Sequence, residues 1–436
     1  MGFYFLYPMI SIPELYQLYL QFPRVATDTR KISPDSLFFC LKGETFDGNT
    51  FAKTALESGA RYVVVDDPAL KEIPGALLVE NVLTTLQQLA LHHRKQLTIP
   101  FIGITGTNGK TTTKELIAAV LARKYRVVAT QGNLNNHIGV PLTLLSVRSD
   151  TEIAVIEMGA NHPGEIEDLC QMALPDAGII TNIGKAHMEG FGTIENIIET
   201  KTALYRSLRK KEGPVFINAS NPTLLAKAEG MIPYLYGDDE NCFCRGRLLS
   251  ADPFVTLEWG TENHKVTTKL AGAWNLDNIL AAICIGLFYK VPEPEINLAL
   301  ASYTPTNMRS QVKVTEKNII LLDAYNANPT SMSAAISHFG GGLNENKILI
   351  IGDMLELGSQ SEHEHEQTLD LISSFHFTDV YLVGTRFGKI VQHPEYKRFT
   401  NTEDAISYFK AHPLQGKNIL IKGSRGIGLE RLVEYL

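Results

Sequence analysis

The chain is poor in the features that mark secreted, membrane-spanning or nucleic-acid-binding proteins. Its five cysteines, Cys40, Cys170, Cys242, Cys244 and Cys284, are odd in number and scattered. That argues against a disulfide framework or a paired metal spacing and favours a reducing, cytoplasmic setting. Cys242 and Cys244 read as alternating residues of one strand rather than half a metal site. No run reaches the length of about 20 apolar residues that a bilayer requires. The apolar opening MGFYFLYPMI lacks a basic flank and is cut at Pro8, so it reads as neither a span nor a signal sequence. Ser11 and Glu14, in capping-box spacing, predict a folded helix directly after it. Basic excess is missing too: 40 Lys and Arg face 47 Asp and Glu, a net charge of −7, without the basic stripe of a dedicated nucleic-acid binder. Small anionic substrates stay open, because a few local cations suffice for them. There is no fixed-period repeat and no low-complexity tract, so a solenoid is excluded and the organisation must come from element order.

What is present is an ordinary globular composition, 44% hydrophobic and 20% charged over 436 residues, enough for two or three domains. Residues 1–98 hold short strands and helices such as RYVVVDD and LTTLQQLALHHRK, a small α/β domain ending in the linker QLTIP. From 99 to 309 apolar runs, EIAVIEMG, DAGIITNIG and GPVFINAS, alternate with helical stretches, the pattern of a doubly wound, mostly parallel sheet. Turn residues cluster in SYTPTNMRSQ. A second alternating set, NIILLDAYN, KILIIGDM, DVYLVG and NILIKGSRG, then predicts a Rossmann-like domain over 310–436. The expected fold is α/β in three domains. The apolar runs of the last two end in Gly, Asp or Asn, where open sheets place their ligands.

The stretch FIGITGTNGKTTTKELI carries the sharpest signal. An apolar strand runs into Gly106, Thr107, Asn108 and Gly109, and Lys110, Thr111 and Thr112 open a helix whose apolar face holds Leu116, Ile117, Val120 and Leu121. Strand, glycine loop and helix N-terminus make an anion cradle of backbone N–H groups. Lys110 is placed to reach the β- and γ-phosphates of ATP, and Thr111 to ligate Mg²⁺. The spacing departs from a strict P-loop: Ile104 holds the place where glycine is required, and Gly103 sits one residue too early. Further on, Glu157 closes a buried strand, and a carboxylate there calls for a cation such as Mg²⁺. Asn182, Lys185 and His187 follow another strand end; His187 is open to a ligand role or to that of a hydrogen-bonded histidine. Lys201 lies in the amphipathic run IENIIETKTALYRSL and, on spacing alone, reads as a solvated helix lysine.

Together these runs resemble the Mur ligases, ATP-dependent enzymes that add amino acids to peptidoglycan precursors. The resemblance covers essentially the whole chain. Its most specific strings are DAYNANPTSM (Asp323–Met332), GDMLELG (Gly352–Gly358) with His365 following, and KGSRGIGLE (Lys422–Glu430). It implies joining of D-alanyl-D-alanine to a UDP-N-acetylmuramoyl tripeptide through an acyl phosphate, by a monomeric cytoplasmic enzyme using ATP and Mg²⁺. It also implies residue roles: Thr29, Arg30 and Asp47 of the FDGN turn at the UDP-sugar, Asn135 and Asn136 at the muramoyl substrate, and Asn275 and Asn278 at adenine. Asp323 falls to the ribose, Arg309 to the phosphates, and Asn326 and Asn328 to the dipeptide side. Lys201 becomes the family's carbamylated lysine, holding a second Mg²⁺ with His187 while Thr111 and Glu157 hold the first. Two places depart from the family pattern: Ala203 stands where Glu is frequent, and Trp274 where His is. A diaminopimelate-adding relative would carry an Asp-Asn-Pro-Arg signature, which the chain lacks. A folylpolyglutamate-type ligase shares the loop but not YNANP with GDMLELG. From another class, a P-loop ATPase switch would hydrolyse ATP without making a bond.

Overall fold

The computed structural model describes residues 9–342 and 345–436, so the opening stretch through Pro8 lies outside them. The capping-box expectation holds: Ser11 and Glu14 exchange bonds at the start of helix Ile12–Gln21, whose Leu15 and Tyr19 are buried. The chain divides into two compact units and passes from the first to the second within strand Phe101–Thr105.

The first unit takes in 125–159 and 165–177 besides the residues up to Gly103. Its N-terminal sheet is parallel throughout, in the order Arg24–Ala26, Ser36–Phe39, Ala60–Val65, Ala76–Leu78. Strand Ser36–Phe39 is buried along its whole length, as the apolar run SLFF demands of a strand covered on both faces. Helix Val82–Gln96 turns His93 inward, where Tyr16 Oη lies 3.2 Å from Nδ1 and the Val147 carbonyl 3.0 Å from Nε2. Burial holds the His93 imidazole below its ordinary pKa.

In the second unit, strands Pro214–Asn218, Ile232–Gly237 and Cys244–Ser250 run parallel, and antiparallel pairings then add Thr256–Trp259 and His264–Thr267. The expectation for the cysteines is corrected here. Only Cys244 belongs to the strand, while the Cys242 N–H is drawn into a turn by the Asp239 carbonyl. The C-terminal sheet has the order Gln311–Val314, Ile319–Asp323, Asn418–Lys422, Lys347–Gly352, Asp379–Val383, Lys397–Phe399, antiparallel only at its first pair. Its faces alternate residue by residue. Leu321, Leu349, Ile351, Leu382 and Leu420 pack with Met332, Ile336 and Leu369, whereas Ile320, Ile348, Ile350, Ile419 and Ile421 pack with Ala405, Phe409 and Leu432. Both faces are covered, which is why the strands read as unbroken apolar runs.

Candidate active site

The loop after Phe101–Thr105 is set by two glycines. Gly106 has φ +146°, and a Cβ on it would fall 1.9 Å from Thr181 Oγ1; Gly109, the N-cap of helix Lys110–Leu121, has φ +79°, and its Cβ would fall 2.4 Å from Asn278 Oδ1. No other residue fits both demands. The segment after strand Ala177–Ile180 pins the loop between them. The Asn182 carbonyl accepts from Thr107 N–H at 2.9 Å and Asn182 Oδ1 from Asn108 N–H at 2.9 Å, while Thr181 Oγ1 donates to the Asn108 carbonyl at 2.6 Å. Thr107 Oγ1 donates to the Gly184 carbonyl at 3.2 Å and accepts from Gly184 N–H at 3.0 Å. Thr181 and Asn182 are thus loop-holding residues, and their strand-end position was the only sign of it in the sequence. Thr111 and Thr112 are buried in the first helical turn.

Lys110 curls back over the loop, its Nζ donating to the carbonyls of Gly106 at 2.9 Å and Thr107 at 3.1 Å. Lys201 donates to the same Gly106 carbonyl at 3.0 Å, is 2% exposed and lies 5.8 Å from the Phe191 ring centroid. It is no solvated lysine. In helix Ile194–Arg209 it shares the buried stripe of Ile197, Leu204 and Leu208, a register its sequence spacing already contained. Burial, and then the charge of Lys110, hold the Lys201 amine well below the ordinary lysine pKa. An amine in that state is a nucleophile. His187 has φ +52°, and its Nδ1 is 2.5 Å from Glu356 Oε2. That proximity holds the Glu356 carboxyl below its usual range. Beside it Lys185 Nζ meets the buried Glu364 at 3.0 Å.

Helix Asn275–Phe288 places its two asparagines against the phosphate-loop helix. Asn278 Oδ1 accepts from Thr113 Oγ1 at 3.0 Å, Asn278 Nδ2 donates to Asn275 Oδ1 at 2.9 Å, and Asn275 Nδ2 donates to the Ala271 carbonyl at 2.7 Å. Trp274 is half-buried against the C-terminal core, bonded to Ser310 Oγ at 3.2 Å and edge-on to His338. Asp323 accepts from Ser310 N–H at 3.0 Å and, on its other oxygen, from the buried Lys422 ammonium at 2.6 Å. Arg309 lies between Met308 and Ser310, both at positive φ, with its guanidinium 3.9 Å from the centroid of the Tyr325 ring. Asn326 Oδ1 accepts from Ala327 N–H, and Asn328 N-caps helix Pro329–Gly341. His365, singled out with GDMLELG, is structural. Its Nε2 accepts from Met354 N–H at 3.1 Å and its Nδ1 faces the Ser361 carbonyl at 2.6 Å.

In the first unit, Glu157 is 1% exposed and receives Asn135 Nδ2 at 2.8 Å. Asn136 Oδ1 accepts at 2.9 Å from the N–H of Gly139, the first residue of helix Gly139–Leu144. Asp47 holds Asn49 through both its N–H and its amide, and Asn49 in turn reaches Asp66 at 2.7 Å, which Lys42 pairs at 2.8 Å. Thr29 and Arg30 lie in a short turn capped by Asp28, to which Arg30 folds back at 2.8 Å. A further cluster, Glu262, His264 and Glu293, has ligand atoms within 4.8 Å of one another; it reads as an ion-pair group in which two carboxylates flank one imidazole.

A glycine loop at the head of a helix, a lysine folded over it and a second, buried lysine on the same carbonyl define a nucleotide-dependent α/β protein of the phosphate-loop class. Family models match most of the chain: the Mur ligase family catalytic domain at residues 22–125, the Mur ligase middle domain at 104–286 and the Mur ligase glutamate ligase domain at 308–425. The chain belongs to the Mur ligase family. It is 39% identical to the UDP-N-acetylmuramoyl-tripeptide--D-alanyl-D-alanine ligase of Bacillus subtilis, over 94% of this chain and 92% of that one. Among solved structures it is similar to MurF from Acinetobacter baumannii, with a TM-score of 0.84, 28% identity and coverage of 94% and 92%. It is likewise similar to MurF ligase from Thermotoga maritima in complex with ADP, with a TM-score of 0.81, 27% identity and coverage of 95% and 97%. The fold class read from the sequence stands, with the three-part α/β architecture of those ligases. Among the described residues no helix is long and apolar enough to cross a membrane.

Proposed function

We propose that this chain is an ATP-dependent ligase that joins D-alanyl-D-alanine to a UDP-N-acetylmuramoyl tripeptide in peptidoglycan precursor synthesis, as a cytoplasmic monomer. Residues 1–98 take the UDP-sugar, 99–309 the ATP, and 310–436 complete the dipeptide side. The observation that carries the reading is the convergence of Lys110 and Lys201 on the Gly106 carbonyl at 2.9 and 3.0 Å. Two amines on one acceptor beside an anion cradle suit a site that handles several negative charges at once.

In the reaction, the terminal carboxylate of the tripeptide attacks the γ-phosphorus of ATP, and the bond to the β-phosphate oxygen breaks to leave ADP and an acyl phosphate. The dipeptide amine then attacks the acyl carbon, loses a proton and expels phosphate. Such transfer needs positioning and charge neutralisation more than covalent help. Lys110 swings from the loop carbonyls to the β- and γ-phosphates, whose other contacts are assigned to backbone N–H groups at the head of helix Lys110–Leu121. Arg309, already stacked on Tyr325, ends the ATP-binding part and is assigned to the same charge. Asp323 keeps its ribose assignment, Asn275 and Asn278 theirs at adenine, and Asn326 its place on the dipeptide side. In the first unit Asn135 and Asn136 serve the muramoyl substrate, and Thr29, Arg30 and Asp47 the uridine end.

Thr111 offers Mg²⁺ a hydroxyl, His187 an imidazole and the buried Glu157 a carboxylate. Thr111, His187 and Lys201 would supply ligands in the second unit and Glu157 in the first. When bound, Mg²⁺ offsets the charge of the phosphates and the acceptor carboxylate. Lys201 suits the carbamate that the family resemblance gives it. Its amine, with a lowered pKa, can add to CO₂ with loss of a proton, placing an anionic oxygen ligand beside Lys110.

The test is product formation from ATP, a UDP-muramoyl tripeptide and D-alanyl-D-alanine, with phosphate followed in parallel. A ligase releases phosphate in step with peptide product and only with both substrates present, and Lys110→Ala lowers turnover about 10²-fold or more while the protein stays folded. Phosphate release that ignores the acceptor and the amine would instead identify a switch ATPase.

A further inference from the structure

The tip of the phosphate loop carries a side chain that the reading above does not use. Asn108 has its backbone fixed on both sides, N–H to Asn182 Oδ1 and carbonyl to Thr181 Oγ1, so its amide projects from a rigid mount. It faces Asn328. Asn328 Nδ2 donates to Asn108 Oδ1 at 2.8 Å, and Asn108 Nδ2 approaches Asn328 Oδ1 at 3.4 Å. The orientation of the Asn328 amide is decided independently of this pair. As N-cap of helix Pro329–Gly341 it must present oxygen to Ser331 N–H, which it does at 2.9 Å, while Ser331 Oγ accepts from Asn328 N–H at 3.2 Å. Its NH₂ group is therefore committed to the loop. The same helix end lies close to the segment that holds the loop: a Cβ on Gly184 would fall 3.1 Å from Thr330 Oγ1.

We propose that Asn108 and Asn328 are a positioning pair. It holds the start of helix Pro329–Gly341, and with it the preceding loop of Tyr325 and Asn326, in register with the phosphate loop, and neither side chain touches substrate. Asn328 thereby leaves the dipeptide contact that the family resemblance gave it. Thr181 and Asn182 hold the backbone of the loop whether or not the pair is made, so its loss lowers the fraction of enzyme assembled for reaction and leaves ATP binding alone. The kinetic part of this inference rests on the ligase reading; the pairing itself does not.

Two measurements test it. In ligation assays, Asn108→Ala and Asn328→Ser each lower kcat about 3- to 10-fold, the worth of one hydrogen bond, with KM for ATP within about twofold of wild type. Serine keeps the helix cap but is too short to reach Asn108. The double variant is no slower than the slower single one, because both remove the same interaction. Asn328→Asp recovers most of the rate, since it keeps the cap oxygen and the Asn108 amide can turn to donate to the new carboxylate. Losses that multiply in the double variant, or a change confined to KM, overturn the positioning role. The second measurement is hydrogen–deuterium exchange on the protein without substrates. Asn108→Ala speeds exchange at Ser331 and Met332, and Asn328→Ser speeds it at Thr107 and Asn108; unchanged exchange at both places overturns the pair whatever the assay reports. A wild-type enzyme that makes no peptide product sinks the ligase reading, and exchange still decides the pair.

Discussion

Gly109→Ala tests whether the phosphate loop is as tightly specified as its geometry implies. Alanine at φ +79° costs about 1–2 kcal/mol in the left-handed region. The new Cβ would also fall 2.4 Å from Asn278 Oδ1, an atom that cannot step aside freely, because Asn278 bonds Thr113 Oγ1 at 3.0 Å and Asn275 Oδ1 at 2.9 Å. Displacing it breaks both bonds, at about 1 kcal/mol each, for a total of about 3–4 kcal/mol. Asn278→Ala alone removes the same bonds and costs about 2 kcal/mol. If the collision is the cause, the double variant costs about 3–4 kcal/mol, and the shortfall against the sum of the singles is about 2 kcal/mol. Urea unfolding of the three variants, followed through amide exchange in Lys110–Leu121, supplies the numbers, and ADP affinity reports the loop. Singles that add to within about 0.5 kcal/mol would mean that Gly109 and Asn278 do not meet, and would refute the reasoning.

Lys201→Ala and Lys201→Arg should both lose ligation, since neither forms a carbamate; formate or acetate should restore peptide product in the alanine variant only, and wild-type rates in both would return Lys201 to an ordinary lysine. For His93, burial lowers the folded pKa below the ordinary histidine value of about 6.5, so the unfolded chain binds more protons below that pH and stability falls as pH drops from about 6.5 through the folded pKa. His93→Gln should flatten that stretch of the unfolding profile measured from pH 7 to 5, and an unchanged slope would remove His93 as its cause. Ile351→Ala, in a residue with no exposure, should cost about 2–5 kcal/mol by cavity formation, read by calorimetry as a lower midpoint for the C-terminal sheet; a loss below about 1 kcal/mol would mean that the site collapses around the gap.

The parallel sheets were legible because burial on both faces leaves a mark that needs no partner. KILIIGDM or NILIKG can only be an interior strand, and the structure places Ile350 and Ile421 on one face with Leu349 and Leu420 on the other. The antiparallel strands between Cys244 and Thr267 left no such mark. Only Cys244 and Gly246 are buried in Cys244–Ser250, so the run has too few apolar residues to set a period. Spacing drew Cys242 into that strand, where the Asp239 carbonyl turns the chain first. A local hydrogen bond outweighed a two-residue alternation.

The site was legible in its residues and not in their partners. The loop sequence announces an anion cradle, but what holds it rigid comes from Asn182, 74 positions away, and Asp323 meets Lys422 across 99 positions. No local pattern encodes either. Lys201 is the instructive exception, because its neighbours in the helix were on the page: Ile197, Leu204 and Leu208 define the buried stripe, and position 201 lies on it. A lysine on an apolar stripe either bends its ammonium out to water or gives up its charge. Out to water was the reading that spacing suggested. The structure closes that route, since Lys201 is 2% exposed and its Nζ ends on the Gly106 carbonyl beside Lys110. What remains is an amine whose pKa burial and a neighbouring cation push well down, on the glycine loop at the head of helix Lys110–Leu121. The register of a single helix, read for the residue that does not belong on its apolar face, therefore leads to the glycine loop without any alignment.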